Sequence, residues 1–579
     1  MMAKTSDKKQ IFFVNELTLI RLLATVLVGG RPFVVDINPM LPPLLNVLTR
    51  IVEWLTLSGR ASWVIDLIPQ ADHLWEYPTR TLMYDVFGQT EQWHNRFYNI
   101  GYLDKKFDRY GMCYKQISCN YAKPKHFHIL ILGMVLEKYD PSIIQLYGLQ
   151  KDTRELYTQY WKERQLRKSY WTWRPALVLN LFICCVVTSY TLAFIFSRTR
   201  GFRKPNHIFR AADYGEDPRD FPLYHELSEG GEVLLVLRNT DQKVECYNEL
   251  KPYKVCKPDC GWFNPVQACQ NLWLTLSHGL KLFRLCSTYE PSFYFQLAAL
   301  PYRRLVIRSL FNRYRPSYFW GRDDYNVEHI LRRQEINLVG GKSYGLQHGF
   351  TTSAIIYPMW RYLNFDRYYV AGLASYNYCY KDTWAEDMKV IPIGTFGAKR
   401  EDYDYIHVNK PKDIIVFTGM GVGDPDLVKF IRDLAVSLPD RNVLLQVKHN
   451  FIKTTTGALF IESCIKGIPN ILTTKDSVFK LFRKGKYIFS DPSTVISEAL
   501  KMGLMAFTID VIKYQRSSIF RQFEGMCMSN GSEAGAKIRD IEAQRWPYPR
   551  IEFGALSDLS ETVFFDVIRV DVGLEKKQK

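Results

Sequence analysis

The chain has 579 residues, of which 47% are hydrophobic and 15% aromatic, and its formal net charge is +17. This length excludes a single ordinary domain, because one hydrophobic core rarely extends beyond roughly 250–300 residues. The positive charge predicts an anionic partner. Since the sequence contains no zinc-finger or RNP-type pattern, we expect a lipid surface or a phosphorylated substrate and no nucleic acid.

The twelve cysteines are scattered along the chain, and their tightest group fits no common zinc-binding spacing. This group is Cys246, Cys256, Cys260 and Cys269. The first residues, MMAKTSDKKQIFFVNELTLI, do not predict a signal peptide, because Asn15 and Glu16 interrupt the apolar run. We therefore expect the cysteines to stay reduced in a cytoplasmic environment and to act as structural thiols.

Residues 1–170 form a predicted N-terminal α/β region to which the sequence assigns no role. The run RPFVVDIN at 31–38 predicts a strand, and HFHILILGMVL at 126–136 is a second apolar run. Asp36, near the end of the first run, is interpreted as a capping or turn residue. No motif in this region predicts a particular chemistry.

Residues 171–204 contain a hydrophobic segment that separates this region from the rest of the chain. Its central part, ALVLNLFICCVVTSYTLAFIFS at 176–197, has no charged residue and is about as long as the roughly 20 residues that cross a bilayer core. Basic residues flank it on both sides, which would suit spanning a membrane or dipping into an anionic leaflet. We predict membrane contact; the alternative is a buried core helix, which Asn180 and Thr188 would suit.

Residues 205–400 alternate between strand-like and helix-like segments. The run EVLLVL at 232–237 is continuously apolar, which is typical of a parallel strand buried on both faces. The segment 317–324 predicts a strand followed by a loop, and further strands are predicted at 343–347, 366–372 and 388–394. The predicted helices lie at 303–316 and 325–341. This alternation predicts a mostly parallel sheet with helices on both faces.

A polar break at 395–412 follows, and a second alternating series then begins within the predicted domain 401–545. Its predicted strands lie at 413–421, 442–450, 470–475, 486–493 and 504–510, and its predicted helices at 426–438 and 494–503. The predicted fold class is therefore α/β, with two Rossmann-like domains that follow the N-terminal α/β region and precede a C-terminal segment at 546–579. Ligands of such sheets bind outside the carboxyl ends of the strands, so two facing domains would enclose a cleft.

Polar residues gather after the predicted strands of the second Rossmann-like domain, and they suit an anion. A glycine-rich loop after the first of these strands lets backbone amides approach a phosphate closely. The sequence Asp491-Pro-Ser-Thr leads into a helix whose first amides, with Ser493 and Thr494, can hold an anion. Taken singly, each motif is also an ordinary turn or cap. The predicted donor-binding residues are Gly419, Gly421, Lys448, His449, Ser493, Thr494 and Glu498.

The first Rossmann-like domain supplies candidate catalytic residues across the cleft. His348 follows a predicted strand, and a neutral imidazole can accept a proton from an attacking hydroxyl group. Asp323 and Asp324 are alternative bases, although an acidic pair before a helix is also a common N-terminal cap. The predicted acceptor-binding residues are Arg322 and Gln347.

Several of these segments together resemble a known group of enzymes. They are YGLQHG, RYYVAG, IPIG, LLQVKHN and FSDPSTVISEALKMGLMAF. Over roughly residues 230–515 the chain is similar to GT-B glycosyltransferases that act on bacterial surface polymers. The nearest likenesses are the capsule Kdo transferases and polysialyltransferases, and a more distant one is the CDP-glycerol glycerophosphotransferases. The resemblance implies the two-domain GT-B fold and sugar transfer.

The resemblance also implies roles for individual residues. In those families a loop containing His-Gly lies near the reaction centre, which implies His348 as the base. A His-Pro motif and a serine-rich motif bind the CMP part of the donor, which implies His449, Ser493 and Thr494 as ligands of the donor phosphate. Here Asn450 replaces the proline, and the loop after His348 lacks the Trp-His-Gly-Thr-Pro form of the glycerophosphate enzymes. A CMP-sugar is the favoured donor.

We predict a glycosyltransferase that moves a sugar from a nucleotide-activated donor to a surface polysaccharide, such as a capsule, or to a lipid-linked glycan. It would work in the cytoplasm at the cytoplasmic membrane of a bacterium. Protein groups such as Lys448 would stabilise the leaving phosphate, so neither a metal nor a cofactor is required. Two alternatives are a nucleotide-sugar 2-epimerase of the same fold and a non-catalytic, membrane-bound glycan-binding scaffold.

Overall fold

The structure of the protein is a computed structural model. It describes residues 11–14, 19–34, 43–63, 111–121, 144–147, 169–170, 176–215, 220–229, 231–238, 252–286, 291–322, 325–350, 358–409, 411–419, 421–511 and 518–574. The predicted run at 126–136 and the residues Asp36, Asp323 and Asp324 lie outside these ranges.

The described strands are given in chain order. They are β1 (Ile11–Val14), β2 (Arg31–Val34), β3 (Ser62–Trp63), β4 (Ile144–Tyr147), β5 (Ser169–Tyr170), β6 (Asn206–Tyr214), β7 (Val233–Leu237), β8 (Lys254–Cys256), β9 (Tyr314–Gly321), β10 (Lys342–Leu346), β11 (Arg367–Val370), β12 (Lys389–Pro392), β13 (Asp413–Thr418), β14 (Val443–Val447), β15 (Ile471–Thr473), β16 (Gly485–Ser490), β17 (Met505–Ile509) and β18 (Cys527–Met528).

The described α-helices are numbered in the same way. They are α1 (Leu19–Leu27), α2 (Pro43–Leu57), α3 (111–121), α4 (Ala176–Arg198), α5 (Phe221–Ser228), α6 (Pro265–Phe283), α7 (Pro291–Ala298), α8 (Leu300–Arg313), α9 (Glu328–Asn337), α10 (Arg400–Asn409), α11 (Pro425–Ser437), α12 (His449–Ile452), α13 (Thr455–Ile465), α14 (Val478–Phe482), α15 (Thr494–Lys501), α16 (Gly531–Glu542) and α17 (Phe564–Asp571).

The first of two compact units comprises residues 1–74, 82–199 and 265–305. It contains a five-stranded parallel sheet with the strand order β3-β2-β1-β4-β5. Leu22 of α1 and Val52 of α2 are fully buried in one core with residues of β2. The predicted N-terminal region is therefore an α/β region.

Helix α4 belongs to this first unit and packs against α6 and α7. Among the described residues it is the one helix long and apolar enough to cross a membrane, with a mean hydropathy of 2.1. In that stretch 39% of the residues are buried inside the protein. The predicted first Rossmann-like domain, 205–400, includes residues 265–305, whereas the structure groups these residues with α4 in the first unit.

The second unit comprises residues 75–81, 200–264 and 306–579 and contains two parallel sheets. Their strand orders are β12-β11-β10-β9-β6-β7-β8 and β15-β14-β13-β16-β17-β18. In each sheet the chain begins at a central strand, proceeds to one edge, and then crosses to the other side. The crossings fall between β6 and β9 and between β13 and β16. This is the doubly wound order of Rossmann-like folds, so the predicted fold class is confirmed.

Burial explains which strands the sequence predicts. All residues of β7 are buried, as are residues 414–417 of β13, and both strands are continuously apolar there. Strand β6 is central but was not predicted, because it carries the buried residues Arg210 and Asp213. One nitrogen of the Arg210 guanidinium donates hydrogen bonds to the carbonyls of Leu227 (2.7 Å) and Glu229 (2.8 Å), which gives this buried group acceptors inside the fold.

The chain returns to the first sheet of this unit at its last helix, α17. Phe564 and Ile568 of α17 are buried in one core with Trp320 of β9. The Tyr344 hydroxyl of β10 donates a hydrogen bond to the carbonyl of Asp571 over 2.8 Å. Helix α17 of the predicted C-terminal segment is therefore part of the first Rossmann-like domain.

Candidate functional site

The carboxyl ends of β13 and β16 meet at a buried carboxylate. Asp491 directly follows β16 and is 3% exposed. Its Oδ2 accepts hydrogen bonds from the backbone N–H groups of Gly419 (2.8 Å) and Gly421 (3.1 Å) and from the Thr418 hydroxyl (3.3 Å). Asp491 therefore holds the glycine-rich loop against the sheet. The two amides that the sequence predicts as phosphate ligands have a protein acceptor in this structure.

Lys448 and His449 lie beside this loop. The Lys448 backbone N–H donates to the carbonyl of Thr418 over 2.8 Å. Its aliphatic stem covers Gly419, where an added Cβ would lie 3.1 Å from the Cβ and Cδ of Lys448. His449 begins α12, and both side chains are exposed. Their N–H donors thus lie at the carboxyl edge of the second sheet, within reach of a ligand there.

Ser493 caps the N-terminus of α15. Its side chain accepts a hydrogen bond from the Val495 backbone N–H over 3.4 Å, and the half-buried Thr494 is the first helical residue. The Ser493 hydroxyl can therefore still donate its hydrogen to an anion at this helix end, which the helix dipole also favours. Glu498, four residues after Thr494, is half-buried on the same side of the helix.

Two buried hydroxyl groups lie on either side of this cap in the chain. Ser490 ends β16 and Ser497 lies one turn into α15, and both are fully buried. Neither hydroxyl has a hydrogen-bond partner within the described part of the chain. Buried hydroxyl groups usually have a partner, so these two add unusual polar groups to the interior beside the cap.

Gln347 and His348 follow β10 but differ in exposure. The Gln347 backbone N–H donates to the carbonyl of Tyr369 (2.8 Å), and its Oε1 accepts from the Ala371 N–H (3.4 Å). The buried Gln347 side chain thus ties β10 to β11. The His348 imidazole is exposed, and its ring centre lies 5.9 Å from that of Tyr325. The candidate base is therefore on the surface of the carboxyl edge.

Arg322 directly follows β9, at the crossing between β6 and β9. Its guanidinium forms an ion pair with Asp220, and the side chains are 14% and 15% exposed. The Arg322 side chain also fills the space over Gly215, where an added Cβ would lie 2.6 Å from the Arg322 Cδ. Arg322 is thus engaged inside the protein at this point. Asp323 and Asp324 lie outside the described residues, so their place in the site stays a prediction.

Loops at the carboxyl edge of the first sheet reach the second Rossmann-like domain. Phe350, two residues after His348, stacks on Phe520 with ring centres 5.2 Å apart, and both rings are buried. After β11, the carbonyl of Ala371 accepts a hydrogen bond from the Asp558 N–H over 3.0 Å. His348 is therefore anchored two residues from a contact between the two domains of this unit.

Helix α15 connects the two edges. Its last residue, Lys501, packs on Gly394 after β12 and forms an ion pair with Asp558 over 2.5 Å. Burial lowers the pKa of Lys501, and the Asp558 carboxylate opposes that shift. The eight residues of α15 span about 12 Å at 1.5 Å per residue. Ser493 thus lies about one short helix away from the carboxyl edge of the first sheet.

A cavity of about 220 Å³ lies elsewhere in the second domain, beside the carboxyl end of β17. Asp426, Asp433 and Asp510 line it together with Lys429. None of the predicted site residues lines it. Its excess of carboxylates does not suit a donor phosphate, so we place the candidate site at the ends of β13, β14 and β16.

Comparisons with known proteins give low similarity. No protein-family model and no curated protein matches the chain. Among solved structures, Acinetobacter baumannii MurG is 10% identical with a TM-score of 0.35, over 64% of this chain and 99% of MurG. The wall teichoic acid polymerase TagF is 11% identical with a TM-score of 0.36, over 69% of this chain and 99% of the TagF chain.

A nucleotide-sugar enzyme matches to the same degree. The UDP-GlcNAc 2-epimerase from Neisseria meningitidis is 10% identical with a TM-score of 0.36, over 63% of this chain and 99% of the epimerase. Glycosyltransferases and nucleotide-sugar epimerases are thus among the structures to which the chain is similar. At these identities and scores their activities do not carry over, and the function of this chain rests on its own residues.

Proposed function

We propose that the protein is a glycosyltransferase that moves a sugar from a nucleotide-activated donor to a glycan acceptor. One observation carries this proposal. The second sheet presents Lys448, His449 and the capped end of α15 at its carboxyl edge, and the exposed His348 lies on the loop by which the first sheet reaches the same domain. Anion-binding groups and a proton acceptor then serve one cleft.

The donor side would work by stabilising the leaving phosphate. Lys448 and His449 would donate to the phosphate oxygens. Ser493 and the first backbone amides of α15, which follow β16, would bind the same phosphate group. Asp491 is not a ligand in this scheme. It fixes the glycine-rich loop over which the Lys448 stem passes, so the cation is held before the donor arrives.

The acceptor side would supply the base. His348 would remove the proton from an acceptor hydroxyl group as its oxygen attacks the anomeric carbon, and the bond from that carbon to the donor phosphate would break. Asp323 and Asp324 are the alternative bases. The exposure of His348 suits this role, because a polymer end must approach the imidazole from solvent.

The finer identity of the substrates follows from the resemblance and the charge. A CMP-sugar is the proposed donor. A bacterial surface polysaccharide or a lipid-linked glycan is the proposed acceptor, and the cytoplasmic side of the cytoplasmic membrane is the proposed location. The net charge of +17 suits an anionic donor, an anionic polymer and an anionic lipid surface.

A thermal-shift screen with CMP, CDP, UDP and GDP tests the donor site first. A nucleotide at a hundred times its dissociation constant should add roughly 2.7 kcal/mol of stability, and one base should stand out. The nucleotide-sugar of that base is then incubated with and without acceptor. Transfer that requires acceptor supports the proposal. Conversion of the sugar without acceptor indicates an epimerase, and binding without turnover indicates a glycan-binding scaffold.

A further inference from the structure

Helix α4 has two chemically different sides. Its buried side carries Asn180, Val187 and Thr191, and Asn180 donates a hydrogen bond to the backbone carbonyl of Cys286 just after α6. Its opposite side is apolar and exposed. The large exposed side chains there are Val178 (63%), Phe182, Val186, Tyr190 and Phe196. One side of α4 thus belongs to the protein core, and the other has no covering element within the described residues.

Helix α6 repeats this arrangement, although its sequence predicts no membrane contact. Its buried side carries Asn271, Thr275 and His278, and the Tyr114 hydroxyl lies 3.4 Å from the His278 Nε2. Its exposed large apolar side chains are Val266, Trp273 (71%), Leu276, Leu280 and Phe283. Two neighbouring helices of the first unit therefore each expose an apolar stripe.

The two helices are antiparallel and closely packed. Asn180, near the start of α4, contacts Cys286 beyond the end of α6, whereas the Cys184 thiol donates to the Gly279 carbonyl over 3.6 Å. Gly279 permits this approach, because an added Cβ would lie 3.3 Å from the Thr188 hydroxyl oxygen.

The exposed stripes lie on one side of the pair. In α4, Val187 is buried, the next residue Thr188 faces α6, and Ser189 is exposed. In α6, His278 is buried, the next residue Gly279 faces α4, and Leu280 is exposed. In both helices, three consecutive residues thus face the core, the other helix and the solvent, in that order along the chain. Because they are antiparallel, this places both exposed stripes on the same side.

Charge indicates what this face binds. Neither helix contains an acidic residue. Lys281 and Arg284 are exposed at the end of α6, so the antiparallel packing puts these cations beside the start of α4, at one end of the apolar face. Apolar side chains bordered by lysine and arginine, with Trp273 and Tyr190 among them, suit the headgroup region of an anionic bilayer.

We propose that α4 and α6 together form a docking surface that lies in the headgroup region of an anionic bilayer, and that α4 does not span it. A lone spanning helix would expose apolar side chains to lipid on all sides, whereas one side of α4 is occupied by protein and carries the buried polar residues Asn180 and Thr191. This surface deepens the membrane location proposed above. It is tested by vesicle binding, whereas the transferase proposal is tested by nucleotide binding and sugar transfer.

The test is flotation of the full chain with phosphatidylcholine vesicles, with and without phosphatidylglycerol. Binding should require phosphatidylglycerol, weaken with salt, and be released by alkaline carbonate. Phe182→Glu combined with Leu280→Glu should weaken binding about tenfold or more, because both charges would enter the interface. Leu338→Glu is the matched control, since Leu338 is equally exposed (65%) on the second unit and should leave binding unchanged.

A second pair of variants keeps the test valid if the glutamate variants fail to fold. Lys281→Gln combined with Arg284→Gln changes exposed side chains only and should weaken binding to phosphatidylglycerol vesicles several-fold. Unchanged binding in both sets, retention after carbonate extraction, or a dimer that the glutamate variants dissociate without affecting vesicle binding would each overturn the proposal. Nucleotide binding should be the same in all variants.

Discussion

The two sheets of the second unit share a strand order but differ at the point where the chain crosses from one half to the other. In the first sheet the ion pair between Arg322 and Asp220 fills this point, and the Arg322 side chain packs over Gly215. In the second sheet the buried Asp491 binds backbone amides of the glycine-rich loop, and Lys448 and its neighbours remain exposed beside it.

This difference teaches that topology locates a potential site but does not decide what it binds. Both crossings are places where doubly wound sheets bind ligands. In the first, the protein's own cation and carboxylate neutralise each other. In the second, the Asp491 carboxylate accepts hydrogen bonds from backbone amides. The exposed Lys448 and the N-terminus of α15 therefore remain available to an external anion. The proposed function accordingly has the donor bind at the second sheet and the acceptor at the first.

The largest effect is expected for the candidate base. His348→Ala should lower sugar transfer by about 100-fold or more, because a positioned general base contributes on that order. Nucleotide binding by thermal shift should not change, since the proposed donor site is on the other sheet. His407→Ala is the control, because His407 is exposed on α10 and outside the site. Full activity of His348→Ala would move the base to Asp323 or Asp324.

The next effect compares the two crossings directly. Asp491→Asn should lower the free energy of unfolding by about 2–3 kcal/mol, because it weakens charge-assisted hydrogen bonds to buried donors. Asp220→Asn replaces a mostly buried carboxylate by an amide whose oxygen can still accept from Arg322, and it should cost about 1–2 kcal/mol. Urea denaturation measures both.

The comparison of the two crossings is contradicted if Asp220→Asn lowers the free energy of unfolding more than Asp491→Asn does. It also fails if Asp220→Asn, and not Asp491→Asn, reduces nucleotide binding. Asp491→Asn should reduce it, because the loop that carries the Lys448 stem would lose its anchor.

The strands of both sheets show what the sequence can and cannot predict. Strands such as β7 and β13 are buried on both faces, so their apolar runs reveal them. Strand β6 is equally central, but Arg210 and Asp213 interrupt its pattern. Their partners lie far along the chain: Arg210 bonds to carbonyls near residue 228, and Asp213 pairs with Arg332. Only the tertiary structure shows which groups pair with these charges.

The same limit applies to the site. Lys448, His449 and Ser493 could be predicted because each follows a recognisable strand, and parallel strands end at one edge. The role of Asp491 could not, since it depends on hydrogen bonds to Gly419 and Gly421, some 70 residues earlier. The pairing of α4 with α6 is likewise a long-range contact between helices that the sequence places in different domains.

A smaller effect is expected for the exposed cation of the second sheet. Lys448→Ala should weaken nucleotide binding about tenfold, because it removes one charge-assisted hydrogen bond to phosphate. The loss should shrink as salt is raised, and Lys448→Arg should restore part of the affinity. Lys453→Ala is the control, because Lys453 is exposed just beyond α12. Equal losses in both lysine variants would indicate general charge attraction and no specific site.

The smallest effect concerns the scaffold of the first sheet, where burial raises the pKa of Tyr344 to about 12 from its ordinary value of 10. The folded state then keeps the phenol proton where the unfolded state loses it, so the free energy of unfolding should fall between pH 10 and pH 12. For Tyr344→Phe, the free energy of unfolding measured by urea denaturation should fall less steeply at alkaline pH, although this variant is less stable at neutral pH because it lacks the hydrogen bond to Asp571.

Tyr378→Phe is the control, since Tyr378 is more than half exposed. A slope for Tyr344→Phe equal to that of the unmodified protein would mean that the contact between β10 and α17 opens before the phenol ionises.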